Sequence, residues 1–423
     1  MNFIINISHL SGEVRIPASK SHTIRGLICG TLAKGKSVLK NPLLSEDTIA
    51  CLNACKKFGA GIKVKNNNIF ITGTGGGVTS PDDIIDVMNS GTTLYFLMGL
   101  ASIIDGWTFF TGDKQITNRP AGEMMKALHG LKAKAFSSRG NEKAPLAIRG
   151  KAHGGKISIH AKSSQYLSSI LLSAPLYPKK TNIKVLLLNE RPYVDMTIEW
   201  LKLCGIKVRE LENDNFEIFP NQKYNNFQRT IPADFSSAAF FIAASALFAK
   251  DEVTIKGLDI NDVQGDKAII DILRRMNAVI KFKNKKLIIR KSTLTGINID
   301  ISDTPDLLPI LSVLACFASG KTVIYNGEHV REKETDRISV MTKELKKMGA
   351  KIKETKDGMI ITGTSLKGAH LNGHVDHRVI MSLAIAALGC KDASTIKGSD
   401  AVSVTFPNFF ELIRSIGAKI RKA

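Results

Sequence analysis

The chain has 423 residues, enough for two domains with separate cores, and an ordinary apolar content of 43%. Its charge is not ordinary: 59 basic against 38 acidic residues leave a net +21. The lysines are scattered, no basic tail is present and aromatics make up only 6%, which excludes a stacking surface for single-stranded nucleic acid and leaves the clustered Arg and Lys for small anions.

Cys29, Cys51, Cys55, Cys204, Cys316 and Cys390 form no CxxC pair, and most sit in apolar helical patterns. They fit reduced thiols in a cytoplasmic protein rather than a disulfide framework. Residues 2–7 alternate as a strand, and residues 1–11 lack the layout of a signal peptide. No transit peptide is read, and no apolar run is long enough to span a bilayer.

Next comes Pro17-Ala18-Ser19-Lys20-Ser21-His22-Thr23-Ile24-Arg25. The pattern predicts a helix over 23–32, with Lys20 in the turn before it. Gly73-Thr74-Gly75-Gly76-Gly77 loosely resembles a dinucleotide loop, but Ser80-Pro81-Asp82-Asp83 follows instead of a helix. It is read as a strand-connecting turn. In Asn89-Ser90-Gly91-Thr92-Thr93, Gly91 lets a ligand approach the backbone with no Cβ in the way. Asn118-Arg119-Pro120 opens a helix over 122–128, and Ser163-Ser164-Gln165-Tyr166 begins another. Arg191-Pro192-Tyr193 places a cation and a phenol together.

In the second half, Asp306 starts an apolar helix over 307–317. Lys333-Glu334-Thr335-Asp336-Arg337 precedes the amphipathic run Ile338, Met341, Leu345, Met348. Read as a first helical turn, it puts Lys333 and Arg337 on one face with Glu334 beside them. Asp376-His377-Arg378 has the same character. Helix starts favour anions, since their amides point outward at the positive end of the dipole. Cations placed there suit an acidic substrate, and a carboxylate among them can move a proton. His370, His374 and His377 suggest a metal only weakly: Gly373 breaks any shared face, and no Cys or acidic cluster joins them. No metal site is assigned.

The chain also repeats itself. A helix, a left-handed turn and a β-rich run recur at 52–64, 127–136, 201–208, 272–280, 344–352 and 411–420. The turn residues Gly59, Lys132, Gly205, Asn277, Gly349 and Gly417 are spaced 73, 73, 72, 72 and 68 apart. Gly and Asn there suit a left-handed helix end. A second strand follows at 69–72, 146–149, 216–219, 287–290 and 359–362. The sixth copy has none, and the strand 2–7 is the expected replacement, which would bring the two termini close together. Three copies precede the polar stretch 213–230 and three follow it, which predicts two domains of three repeats each.

Taken in this order, the charged and small-residue segments resemble one family closely: 5-enolpyruvylshikimate-3-phosphate synthase, or 3-phosphoshikimate 1-carboxyvinyltransferase. The resemblance runs from about Gly12 to Phe410. It implies an α/β fold of two inverse α/β domains, each of three βαβαββ units, joined by two crossover strands. The expected domains are 1–15 with 232–423, and 16–231. It implies transfer of the enolpyruvyl group of phosphoenolpyruvate to the 5-hydroxyl of shikimate 3-phosphate, with release of phosphate through a tetrahedral intermediate. No cofactor, nucleic acid or membrane is implied, and the expected state is a cytoplasmic monomer.

Residue by residue, the resemblance makes Lys20, Asp306 and Glu334 the catalytic set. Asp306 would be the base for the 5-hydroxyl and Glu334 the second acid–base group. Lys20, Gly91, Arg119, Gln165, Arg337 and Arg378 would bind phosphoenolpyruvate. Lys20, Ser21, Arg25, Ser163, Ser164, Gln165, Arg191, Asp306 and Lys333 would bind shikimate 3-phosphate, with Tyr193 beside Arg191 and His377 beside Arg378. Three positions depart from the family pattern. Val404 stands where a Lys is frequent, Tyr95 where an Arg is common, and Glu190 where a Ser is common. Glu190 adds negative charge near a phosphate and is left out of the site. The related UDP-N-acetylglucosamine enolpyruvyl transferase carries a reactive Cys in the loop corresponding to 112–121. No Cys occurs there, and Lys20-Ser21 matches the shikimate branch better.

Overall fold

All six expected turn residues adopt left-handed backbone in the computed structural model, which describes residues 1–423. Their φ values are 99° at Gly59, 74° at Lys132, 76° at Gly205, 71° at Asn277, 86° at Gly349 and 108° at Gly417. Each turn ends a helix and sends the chain into a strand. Strand pairs then close through tight turns such as Asn66-Asn67 and Asn284-Lys285, with φ of 50° and 54°, and 50° and 57°. Two consecutive positive φ values match the twist of the flanking strands, and Asn tolerates them.

The result is six four-stranded sheets with one topology. In each, two neighbouring strands are parallel and the hairpin adds two antiparallel strands. Gly155–Ala161, Ser164–Ser173, Thr181–Leu188, Arg191–Leu203, Val208–Glu210 and Phe216–Ile218 give one βαβαββ repeat in full. The sixth sheet takes its missing strand from the other end of the chain. Asn2–Asn6 lies antiparallel between Ser394–Lys397 and Lys419–Lys422. The Ala423 amide donates to the Asn2 carbonyl at 3.0 Å, so the termini do meet.

Two compact units result. One holds Met1–Pro17 and Pro232–Ala423, the other Ala18–Ile231. Each contains three sheets. The strands next to the two crossings join sheets of their own unit: Leu10–Arg15 pairs parallel with Ala249–Lys256, and Gln228–Thr230 with Lys34–Lys40.

The first helix of each repeat is apolar on nearly every side. All 11 residues of His377–Ala387 and 12 of 14 in Phe235–Phe248 are buried. Such a helix belongs wholly to the core. In the second unit, Gly91–Ala101 packs closely on Ser164–Ser173: a Cβ at Gly99 would lie 2.5 Å from Ser169 Oγ. That hydroxyl donates to the Tyr95 carbonyl at 2.6 Å. Helices buried along their length offer polar groups mainly at their ends, and there the charged segments fall.

Two helix starts differ from the sequence expectation. Lys20–Leu32 begins three residues early, because Ser19 is the cap and accepts from the His22 amide at 3.4 Å. Lys20 is therefore in the first helical turn. The helix expected to open at Lys333 begins instead at Arg337, capped by Asp336, which accepts from the Ser339 amide at 3.1 Å. Lys333 follows the separate 3-10 turn Glu328–Glu332 and shares no helical face with Arg337. A 3-10 turn, Pro305–Leu307, also precedes the helix Leu308–Phe317.

The turns give a graded stability test. Gly349→Ala meets no neighbour within 4 Å, so only its backbone is strained. It should destabilise the protein by about 1 kcal/mol. Gly417→Ala should cost more, since its Cβ would also lie 2.8 Å from the His9 carbonyl. Urea unfolding of both variants checks the order; equal losses would contradict it.

Candidate functional site

In the unit Ala18–Ile231, the candidate residues collect at helix starts. Lys20 Nζ pairs with Asp47 Oδ2 at 2.9 Å, and Asp47 is only 4% exposed. Ser21 lies one residue further along the same helix. Its carbonyl accepts from Arg25 Nη1 at 3.2 Å. Arg25 is buried. Its Nε donates to Thr197 Oγ1 at 2.8 Å and its Nη2 to the Tyr193 carbonyl at 2.8 Å. Its guanidinium lies 5.0 Å from the Phe96 ring centre. Burial pulls the Arg25 pKa down to about 10, against smaller opposing contributions from Tyr193, Cys29 and Glu190. Arg25 thus ties Lys20–Leu32 to Arg191–Leu203 through uncharged acceptors.

Gly91 opens Gly91–Ala101 behind the cap Ser90, which accepts from the Thr93 amide at 3.3 Å. The space left by its missing Cβ holds protein: a Cβ there would lie 2.1 Å from Arg119 Nη1. Gly91 therefore makes room for a largely buried cation. The Arg119 loop is held from behind, since Tyr95 and Tyr166 hydroxyls both donate to the Pro120 carbonyl, at 2.8 and 3.0 Å. Tyr95, one of the family departures, thus supports the arginine that remains. Gln165 Nε2 donates to Thr92 Oγ1 at 2.9 Å, which joins the Gly91 and Ser164 helix starts.

Ser163 caps Ser164–Ser173 and accepts from the Gln165 amide at 3.4 Å. Beside it the structure departs from the sequence reading. Arg191, expected near this helix start, is engaged by Asp195, Glu210 and Asp214. Glu190, left out of the expected site, is the residue that meets Ser164: its Oε2 accepts from the Ser164 amide at 3.1 Å and from Ser164 Oγ at 2.7 Å.

In the other unit, Arg337 gathers the candidates. It is fully buried and each of its guanidinium nitrogens bonds a carboxylate. Nε donates to Asp376 Oδ2 at 2.8 Å, Nη1 to Asp306 Oδ1 at 2.8 Å and Nη2 to Glu334 Oε2 at 2.6 Å. Arg378 Nη2 lies 2.9 Å from Asp306 Oδ2. Asp376 caps His377–Ala387, accepting from the Arg378 amide at 2.9 Å, and also accepts from Thr335 Oγ1 at 3.0 Å. Burial opposes the Arg337 charge, but Asp376, Glu334 and Asp306 outweigh it and hold the pKa above the usual guanidinium value. Burial also opposes the Asp306 charge. Arg378, Lys333 and Arg337 overcome it and hold that carboxyl well below the usual range. Arg337, expected on phosphoenolpyruvate, is thus bound to three carboxylates of the protein.

Sequence reasoning missed Asp47, Asp376 and Asp266. Asp266 is 1% exposed and accepts from Ser236 Oγ. Burial, with Asp306 nearby, pushes its pKa up to about 7, against the pull of Arg378. Cap chemistry could have found Asp376, an Asp immediately before an apolar helix. Nothing local marks the other two. The three histidines do not assemble a metal site. His374 Nε2 sits 2.9 Å from Glu344 Oε1, His377 opens a buried helix, and His370 lies on an exposed strand position. Val404 ends the 3-10 turn Ser399–Val404 and is half-buried.

Six βαβαββ repeats with cations and carboxylates at their helix starts define the class of the enolpyruvyl transferases, and comparison with known proteins narrows it. The sequence profile of EPSP synthase (3-phosphoshikimate 1-carboxyvinyltransferase) matches residues 4–413. The 3-phosphoshikimate 1-carboxyvinyltransferase of Ruminiclostridium cellulolyticum is 46% identical over 413 residues, covering 98% of both chains. That of Methanosarcina acetivorans is 43% identical over 431 residues, covering 100% of this chain and 99% of the relative. The EPSP synthase structure from Acinetobacter baumannii superposes with a TM-score of 0.85 at 28% identity, covering 99% of each chain. The chain belongs to the EPSP synthase family. It has that family's activity in the shikimate pathway, and the family's substrates are phosphoenolpyruvate and shikimate 3-phosphate.

The Asp266–Asp306 pair has a pH signature. Asp266 has its folded pKa raised, so its contribution to stability is full below about pH 4 and is lost as pH rises toward 7. Asp266→Asn cannot ionise. Relative to wild type, its stability should improve between pH 4 and 7 by on the order of 1 to 4 kcal/mol. Urea midpoints across that range measure this, and parallel pH curves would contradict it.

Proposed function

We propose that the two helix-start clusters divide the EPSP synthase reaction between them. Shikimate 3-phosphate is assigned to Lys20, Ser21, Arg25, Ser163, Ser164, Gln165, Asp306 and Lys333. Phosphoenolpyruvate is assigned to Lys20, Gly91, Arg119, Gln165 and Arg378. A planar guanidinium binds a carboxylate or phosphate through two parallel bonds, which is why the arginines carry this part. Arg191 could serve only by leaving its carboxylate cluster. Arg337 is assigned to hold Asp306 and Glu334.

One observation carries the reading. A single buried guanidinium bonds Asp306 and Glu334 through different nitrogens, which fixes two proton-transfer carboxylates against each other. In the proposed course Asp306 takes the proton of the 5-hydroxyl as that oxygen attacks C2 of phosphoenolpyruvate. An acid, Glu334 or Lys20, delivers a proton to C3. The tetrahedral adduct then loses phosphate as a proton leaves the new methyl group. Cations around Asp306 keep it ionised and ready to accept. They also weaken it as a base, and the negative charges of the substrates, once bound, offset them and restore basicity. The reading extends to a cytoplasmic monomer. Six buried, unbridged cysteines suit a reducing compartment, and no helix is long and apolar enough to cross a membrane.

Asp306→Asn and Glu334→Gln should each lower turnover by at least about 100-fold, as loss of a general acid or base does. Both variants should stay folded and bind shikimate 3-phosphate. Steady-state phosphate release with both substrates, beside calorimetric binding, separates the roles. Near-normal turnover would remove that residue from the catalytic set.

A further inference from the structure

Glu190 is built in an unusual way for a helix start. It caps Arg191–Leu203 with φ 60° and ψ 39°, in the left-handed region that side chains with a Cβ avoid. Glu is also a poor cap, and its carboxylate makes no capping bond to its own helix. It turns instead to the neighbouring helix start and accepts from both the amide and the hydroxyl of Ser164. The residue is 2% exposed, so this carboxylate lies inside the protein, where the guanidinium of Arg25 feels its charge. An amide at a helix start with a hydroxyl beside it is the donor pair an incoming anion uses. Here a carboxylate of the protein already holds it.

We propose that Glu190 is a resident competitor for the 3-phosphate of shikimate 3-phosphate, and that it sets the affinity for this substrate. The proposal rests on the assignment of Ser163, Ser164 and Gln165 to that phosphate. A phosphate and a carboxylate cannot share one donor pair away from bulk water, because both are anions and their repulsion is weakly screened there. Binding therefore requires the Glu190 carboxylate to leave Ser164, and the bonds it gives up are subtracted from the substrate's affinity. The effect belongs to one ligand. Phosphoenolpyruvate shares Lys20 and Gln165 with shikimate 3-phosphate but is not assigned to Ser164, the residue that Glu190 holds. Glu190 acts by withholding a site, so it is not a catalytic residue.

Two substitutions at this position and one at its partner test the idea. Glu190→Gln keeps the shape and removes the charge, and Glu190→Ser removes the competitor and leaves a hydroxyl. Each should tighten shikimate 3-phosphate binding by about 10-fold, the lower bound for loss of a charge-assisted contact to the competitor. The change should fall in Kd and KM for shikimate 3-phosphate, with the KM for phosphoenolpyruvate moving less than about two-fold. Inorganic phosphate, used as a probe, should compete against shikimate 3-phosphate more strongly in both variants. Ser164→Ala, made in the Glu190→Ser background where no carboxylate holds the hydroxyl, reports on the underlying assignment and should weaken shikimate 3-phosphate binding. If Ser164→Ala weakens binding while folded Glu190→Gln and Glu190→Ser bind as wild type or worse, the competitor idea fails and the phosphate assignment stands. If Ser164→Ala leaves binding unchanged, the assignment fails and the proposal with it. Thermal unfolding of each variant confirms that a folded protein was measured.

Discussion

A guanidinium shut away from water must have its charge answered by the protein, and Arg337 is answered three times. Its partners come from the turn before one buried helix, from the loop before its own helix and from the cap of a third. The side chain of Asp376 is 0% exposed, whereas those of Asp306 and Glu334 are 20% and 12% exposed. That gradient divides the labour. Asp376 anchors, capping its helix and orienting the cation. The other two keep a face toward solvent and remain open to chemistry. Taking away the arginine would leave three carboxylates facing one another in a poorly solvated site, an arrangement that proteins relieve by protonation or rearrangement. The fold of this unit and the proton chemistry proposed for it thus depend on the same bond set.

The other unit solves its charge problem differently. Arg25 is as buried as Arg337, yet its guanidinium donates to a hydroxyl and two carbonyls. Its charge is solvated by dipoles without being cancelled, and its pKa falls while that of Arg337 rises. Arg119 sits at Gly91 under the same economy of space. One cluster is therefore an ion network close to balance, suited to moving protons. The other pairs Lys20 with Asp47 but holds the buried Arg25 through a hydroxyl and two carbonyls, which suits a helix-start region to holding anions.

Much of the architecture could be read from the chain because it is written six times. A period near 72 residues, with Gly or Asn at the turn, exposed the repeat, and even Lys132 obeys it with a φ of 74°. The missing strand of the sixth copy pointed to the N-terminus for the same reason. Helix starts were harder. Ser19 and Asp336 are favoured caps, but the charged residues around them outweighed cap chemistry in the reading, and the starts shifted by three or four positions. Partners across the fold were not legible. Arg337 and Asp376 lie 39 residues apart, and Arg25 and Thr197 lie 172 apart. Residue type says that Arg25 and Arg191 can bind anions. Only the packing shows that one is tied to carbonyls and the other is surrounded by carboxylates, while Glu190 turns inward.

The closure of the sixth sheet by Asn2–Asn6 has a consequence for the order of assembly. The unit Ala18–Ile231 is one unbroken stretch of chain, so all its sheets can form as soon as that stretch leaves the ribosome. The other unit contains a sheet that pairs Asn2–Asn6 with the distant strands Ser394–Lys397 and Lys419–Lys422. The pairing of Ile5 with Ile420 cannot be made until Ile420 has been synthesised, long after Ile5. Closing so long a loop costs conformational entropy that only late contacts repay. The strand Asn2–Asn6 is made long before both of its partners, and until they follow it carries an unpaired edge on both sides. An early-folding unit and a late-closing one are thus encoded by where a single strand was borrowed from.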